Sequence, residues 1–281
     1  MRHRYIIQPV YMHSKIFTTS DNARLMCAVW DDVLNPVGVI QIVHGVFDCA
    51  SSYDKFAHFL NHNGYIVFST DTLLTKKSRT FDSAVRQEID IMHHLNQKYD
   101  LPVFLFGYGY GGFVVQSMLQ NIGSESAAVC LIKSGRHACW KIKIARAIAH
   151  IGMHIYGPDA PARIINFFTR RHCGRTQKST IGTYGFYASL LDGLIKLDKK
   201  SDYEHPVLII CGPNDYDTPN FSLSRALYNS YCNNDLTHAT LLMYPDIQTG
   251  LLMQINCGSV GDDILSFFND TNATYQSKET D

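Results

Sequence analysis

Val103-Phe104-Leu105-Phe106-Gly107-Tyr108-Gly109-Tyr110-Gly111-Gly112 decides how the rest of the chain is read. The apolar run at its start, rich in Val and Phe, has the composition and length of a buried strand. A cluster of glycines follows, and Phe113-Val114-Val115-Gln116-Ser117-Met118-Leu119 continues as a packed helix. Strand, glycine turn and helix in direct succession place Gly109 at the apex of a sharp turn, where the backbone must bend tightly and the helix must pack close to the strand.

On either side of this stretch, strands alternate with helices. Residues 15–19 and 24–30 predict a hairpin around Asp21-Asn22-Ala23, and residues 37–43 a buried parallel strand that delivers His44-Gly45-Val46-Phe47 to a loop. Tyr53, Phe56, Phe59 and Leu60 fall at helical spacing, with Gly64 closing that helix before a strand over 65–69 that runs into Asp71. Residues 81–99 form an amphipathic helix with Val85, Ile89, Met92 and Leu95 on one face, and residues 127–132 a further strand. This rhythm predicts a doubly wound, mostly parallel α/β sheet, with loops at the strands' carboxyl ends forming the site. The rhythm breaks at residues 134–200. Helices are expected there over 140–156, with Ile144, Ile148, Ile151 and Ile155 on one face, and over 183–197. The sheet resumes at 206–212, followed by a helix over 220–231, a strand over 239–244 and a closing helix over 255–268. The organisation expected is a core of residues 1–133 and 201–268, a helical cap of residues 134–200, and a disordered polar tail, residues 269–281.

With 46% apolar and 18% charged residues in 281, the chain has the composition of a globular domain with a large core, and disorder or a coiled coil is excluded as its general character. Formal net charge is zero, which points to no nucleic acid partner. The charge is unevenly spread: residues 134–200 hold twelve Lys/Arg against three Asp/Glu, a balance of +9, so the remainder carries −9. The eight cysteines show no CxxC pair and no zinc-ligand spacing, and read as reduced thiols of a cytoplasmic protein. The first twenty residues lack a signal-peptide pattern, and no apolar run is long enough to span a bilayer.

His44-Gly45, Tyr53, Gly64-Tyr65 leading to Asp71, the glycine turn, and the stretch from Pro206 to Asp215 recur in an order that resembles the monoacylglycerol lipase and lysophospholipase branch of the α/β hydrolases, the serine aminopeptidase-like group. The resemblance covers about residues 15–268 and implies an α/β-hydrolase fold. It also implies a Ser nucleophile at the centre of a Gly-x-Ser-x-Gly elbow, a His base after the last strand and an orienting carboxylate. Here the three equivalent positions are Gly109, Thr249 and Asp215. Asp215 comes from Gly212-Pro213-Asn214-Asp215, and Thr249 stands where a pattern like Tyr-Pro-Gly-x-x-His-Glu would place its His. No His follows His238, so no shift of register restores the base.

Loss of both Ser and His favours natural degeneration over a trapping mutation, and the expectation is a non-catalytic relative that binds an acyl or lipid-like ligand or a protein partner. By the same resemblance the oxyanion hole is formed by the backbone N–H groups of Val46 and Tyr110; a pocket beneath the cap lined by Tyr108, Tyr110 and Phe47 would argue for a ligand, and one filled by those side chains for a structural role. The third-strand loop, Asp71-Thr72-Leu73-Leu74-Thr75-Lys76-Lys77-Ser78, keeps the family's Asp and Ser but lacks its glycines. The alternative is an active carboxylic-ester hydrolase with an unorthodox nucleophile, for which Cys49 is the candidate thiol; a purely structural role is the third possibility. No cofactor and no metal are expected, and His93-His94 reads as a solvated helix edge rather than a ligand pair. The basic cap could meet an anionic membrane through Trp140, Lys141, Lys143 and Arg146; the competing expectation is that its Ile face packs on the sheet edge.

Overall fold

The computed structural model describes residues 12–45, 48–71, 80–122, 125–135, 140–163, 182–197, 203–212, 221–232, 239–244 and 259–279. Eight strands form one sheet: β1 (His13–Thr18), β2 (Arg24–Trp30), β3 (Gly38–Val43), β4 (Tyr65–Thr70), β5 (Val103–Tyr108), β6 (Ala128–Ile132), β7 (Val207–Cys211) and β8 (Ala239–Met243). Their spatial order is β1-β2-β4-β3-β5-β6-β7-β8. The β1–β2 and β2–β4 pairs are antiparallel, and every pair from β4 onward is parallel. The central strands β3 to β7 are buried along their whole length but for Tyr108, as their unbroken apolar runs require when both faces are covered.

Seven α-helices lie among the described residues: α1 (Asp54–His62), α2 (Phe81–Tyr99), α3 (Tyr110–Ile122), α4 (Trp140–Tyr156), α5 (Tyr184–Lys196), α6 (Ser222–Cys232) and α7 (Ser259–Glu279). One side of the sheet packs against α2 and α3, whose Val85, Met92, Val114 and Met118 meet Val39, Leu105 and Leu131. The other packs against α1 and α7, through Phe56, Leu60, Ile264 and Phe268 against Ile40, Phe104 and Ile210. Helix α2 starts at a Thr80 cap whose hydroxyl accepts from the Ser83 N–H. It is tied to the sheet by the buried Glu88 carboxylate, which accepts from Gln41 Nε2 at 2.8 Å and Thr70 Oγ1 at 2.6 Å.

Between β6 and β7 the chain departs from the sheet, and α4 packs on α5. Ala149 and Gly152 of α4 are buried, and a Cβ on Gly152 would lie 2.2 Å from the Tyr184 ring. Arg146 and His150 both bind Asp192 of α5; burial alone would raise that carboxyl's pKa, but these two hydrogen bonds outweigh it and hold it below its usual value. Helix α5 in turn seats on α2, where the Phe81 N–H donates to Ser189 Oγ at 2.6 Å and Lys196 pairs with Asp82 at 2.8 Å.

Two expectations are corrected. Ile144, Ile148, Ile151 and Ile155 do not pack on the sheet edge; all four are exposed, because the face that α4 turns to α5 is the one carrying Ile142, Ala145, Ala149 and Met153. The closing helix does not stop at Phe268: α7 runs to Glu279, with Thr271 and Asn272 buried. Polar residues are retained there because they have partners, Asn269 accepting from Tyr65 Oη at 2.9 Å and Asn272 donating to the Val37 carbonyl at 3.1 Å. No helix among the described residues is long and apolar enough to cross a membrane.

Candidate functional site

The strand order reverses between β3 and β5: the chain steps from β3 out to β4, then returns to the far side of β3 as β5. Ligands of open α/β sheets bind at such a switch point, beyond the carboxyl ends of the two strands. Here that point holds the loop after β3, beginning His44-Gly45, and the turn from β5 into α3 centred on Gly109.

Gly109 has φ +54°, the left-handed region that side-chain-bearing residues avoid. Its N–H donates to the Ile132 carbonyl at 2.8 Å, and its own carbonyl accepts from the Gly112 N–H at 3.1 Å, so the turn is fixed from both ends. A Cβ built on Gly109 meets no atom of the described residues within 4 Å. Gly111 differs: its Cβ would fall 1.9 Å from the Val43 carbonyl oxygen, because the first turn of α3 lies directly against the end of β3. Among the described residues the elbow geometry is thus complete around a glycine that nothing crowds.

Tyr110 begins α3, and its ring packs edge-on against Phe81 at 5.9 Å and near Phe186 of α5 at 6.4 Å. That side chain is core rather than pocket lining, and burial drives its phenol pKa well above the ordinary value. What Tyr110 can offer a ligand is its backbone N–H at the start of α3. Tyr108 is half-buried at the end of β5, its ring 6.3 Å from that of Tyr53 and 5.9 Å from Lys133 Nζ.

A set of ionisable groups gathers beside this turn. His44 is buried, with Nδ1 2.7 Å from the Gly45 carbonyl oxygen; since a carbonyl only accepts, Nδ1 carries the proton. Its Nε2 lies 4.0 Å from Asp71 Oδ1, beyond hydrogen-bond reach, and that oxygen accepts from the Ala50 N–H at 2.8 Å. Asp48 accepts a long hydrogen bond from Tyr53 Oη at 3.4 Å. Burial pushes the Asp48 carboxyl above its usual range, against the opposing pull of His44, the Gly45 backbone, Tyr53 and Lys133. Lys133, at φ +50°, follows β6 directly. Neither Asp48 nor Lys133 is marked by any motif in the sequence. The available signal was position alone, polar residues just past the carboxyl ends of parallel strands.

Of the residues expected to form the site, Gly109, Tyr108 and Tyr110 are brought together at the switch point. Val46, Phe47, Asp215 and Thr249 lie outside the described residues. β7 ends at Cys211 beside the end of β6. Cys49 is exposed, and its Sγ lies 3.1 Å and 3.3 Å from the hydroxyls of Ser51 and Ser52, neither of which is a base. Among the described residues no three His, Cys, Asp or Glu side chains converge as a metal-binding set.

Residues 35–161 match the family described as serine aminopeptidase, S33. No curated protein is significantly similar to the chain in sequence. Among solved structures, a thermostable carboxyl esterase from Bacillus coagulans, in complex with glycerol, superposes with a TM-score of 0.75 at 15% identity, over 93% of this chain and 99% of that one. A monoacylglycerol lipase from Paleococcus ferrophilus gives 0.64 at 18% identity, over 88% of this chain and 99% of its own. A soluble variant of monoglyceride lipase from Saccharomyces cerevisiae gives 0.66 at 12% identity, over 96% and 99%. With the parallel sheet, the glycine elbow at its switch point and these superpositions, the chain has the α/β-hydrolase fold, and its residues 35–161 are similar to the serine aminopeptidase family.

Proposed function

We propose that the protein is a non-catalytic α/β hydrolase that binds an acyl or lipid-like ligand at the β3–β5 switch point. One observation carries this reading: the elbow keeps its full geometry, with φ +54° and no described atom crowding its apex, yet the apex residue is Gly109. Acyl transfer on this fold begins with a side-chain oxygen at that position, deprotonated by a His. Gly109 supplies no oxygen, and Thr249, where the base is expected, has no titratable nitrogen. The backbone donors are a different matter, since an N–H group survives any side-chain replacement except by Pro. The Tyr110 N–H, with that of Val46 in the loop after His44, would hold a carbonyl oxygen without attacking it.

The ligand class follows from the lipase-like resemblance of the chain and from the aromatic surroundings of the turn. The experiment is calorimetric titration of the full chain with a long-chain monoacylglycerol below its aggregation concentration, with recovery of the ligand afterwards. Saturable binding with intact ester recovered is the expected result. Absence of binding, or recovery of free fatty acid, contradicts the proposal.

A further inference from the structure

Two half-buried side chains flank the elbow at the carboxyl edge of the sheet, Tyr108 just before Gly109 and Lys133 just after β6. The β5–β6 register sets Tyr108 opposite Ile132, and the Ile132 carbonyl accepts the Gly109 N–H at 2.8 Å. The peptide bond that leads into Lys133 is thereby held against the apex of the turn. Lys133 donates its own N–H to the Ile210 carbonyl at 3.1 Å, so its backbone is fixed between β5 and β7. Its Nζ lies 5.9 Å from the centre of the Tyr108 ring, at the outer edge of cation–π range. Around this opening His44, Gly45, Tyr110 and Ser134 are buried, so Tyr108, Gly109 and Lys133 are what it leaves accessible on the β5–β6 side.

Lys133 is an unusual residue for its backbone. Its φ of +50° is shared by Asn22 in the hairpin turn and by Asp100 at the α2 C-cap, whose short polar side chains tolerate the left-handed region; a long side chain has no such compensation. The lysine is therefore explained by what its ammonium does rather than by what its backbone needs. Two carboxylates share the neighbourhood. Asp71 accepts from the Ala50 N–H and Asp48 from Tyr53 Oη, so both are bound to the segment that follows β3, while His44 gives its Nδ1 proton to the Gly45 carbonyl. The Lys133 ammonium reaches the turn from the opposite side, from the end of β6.

We propose that Lys133 selects the head group of the acyl ligand at the switch point, taking a free carboxylic acid as its anion in preference to a neutral ester. The inference rests on the reading of that point as an acyl-ligand site and names the form of the ligand. The Tyr110 N–H donates to the oxygen of an ester and of an acid alike and does not tell them apart. An ammonium does, because a carboxylate gives it a charge-assisted hydrogen bond that an ester does not. An ammonium that shares the turn with Asp48 and Asp71 also matches a monoanion better than a dianionic phosphate, which the two carboxylates repel more strongly.

The test is calorimetric titration of the full chain at about pH 7.5, where a fatty acid is ionised. The ligands are dodecanoate, monododecanoylglycerol and dodecyl phosphate, each below its aggregation concentration. Dodecanoate is expected to bind about tenfold more tightly than the ester, and Lys133→Met to remove that factor while leaving ester affinity within about twofold. Lys133→Arg keeps the charge and should keep the preference; Lys133→Gln gives the same reading as Lys133→Met should the latter not fold. Native binding of dodecanoate no tighter than that of the ester overturns the proposal. So does a preference for the acid that survives loss of the Lys133 charge, or tighter binding of dodecyl phosphate than of dodecanoate. Ester bound without preference for the acid leaves the acyl-ligand reading standing and this inference refuted, whereas binding of none of the three refutes both.

Discussion

Gly109 and Gly111 stand two residues apart and are glycine for different reasons. Gly111 is held by contact, since any Cβ there would overlap the Val43 carbonyl, whereas among the described residues nothing crowds Gly109 and its constraint is its φ of +54°. Gly109→Ala should therefore cost about 1–2 kcal/mol, the penalty for a side chain in the left-handed region. Gly111→Ala should cost about 3 kcal/mol or more, because backbone must move. Urea unfolding of the two variants checks the order. Asp48 gives a second residue-level test. Its folded pKa is raised, chiefly by burial, so its contribution favours the folded state below the ordinary carboxylate value and is lost as pH rises through the folded value. Asp48→Asn removes that dependence. Relative to the native chain, the variant's urea midpoint should be higher near about pH 7 than near about pH 4; an unchanged difference between the two pH values would contradict the assignment.

At the scale of elements, the α4–α5 pair is attached by the Ser189 and Lys196 contacts with α2 and by one close approach. A Cβ on Gly193 of α5 would lie 2.2 Å from the Phe81 ring at the start of α2. Gly193→Ala should destabilise the fold by about 1–3 kcal/mol and speed amide exchange in α4 and α5 more than in the central strands, which hydrogen-exchange mass spectrometry reads directly. Truncation after Phe268 should lower stability by about 2 kcal/mol, since it removes the Asn269 and Asn272 hydrogen bonds at about 1 kcal/mol each; a midpoint equal to that of the full chain would show that the last turns of α7 only cover the surface. The same two elements show where the sequence was legible. Strands β3 to β7 and helices α2 and α4 announce themselves by uninterrupted apolar runs or by clear periodicity. The end of α7 does not, because Asn269, Thr271 and Asn272 look like a solvated tail until their partners Tyr65 and Val37, more than two hundred residues away, are in place. The orientation of α4 was hidden for another reason. It has two apolar stripes, Ile142-Ala145-Ala149-Met153 and Ile144-Ile148-Ile151-Ile155, and hydrophobicity favours the isoleucines for burial. Close packing against α5 selected the small residues instead.

The molecule as a whole is neutral but polar in its charge, positive over residues 134–200 and negative elsewhere. The fold itself was legible from the alternation of strands and helices and from the glycine turn, because each local pattern agrees with the same doubly wound sheet. Around the switch point the sequence located the elbow at Tyr108, Gly109 and Tyr110 and the loop beginning His44-Gly45, because chain order fixes both. Asp48 and Lys133 join it by tertiary approach, which no local pattern encodes. The claim on which the account turns is that this intact scaffold performs no acyl transfer. Hydrolysis of a short-chain nitrophenyl ester and of a monoacylglycerol by the native chain, beside Gly109→Ser/Thr249→His, tests it most directly. The account predicts no turnover above buffer by the native protein and measurable turnover by the double replacement. Native turnover that persists through repurification would contradict it.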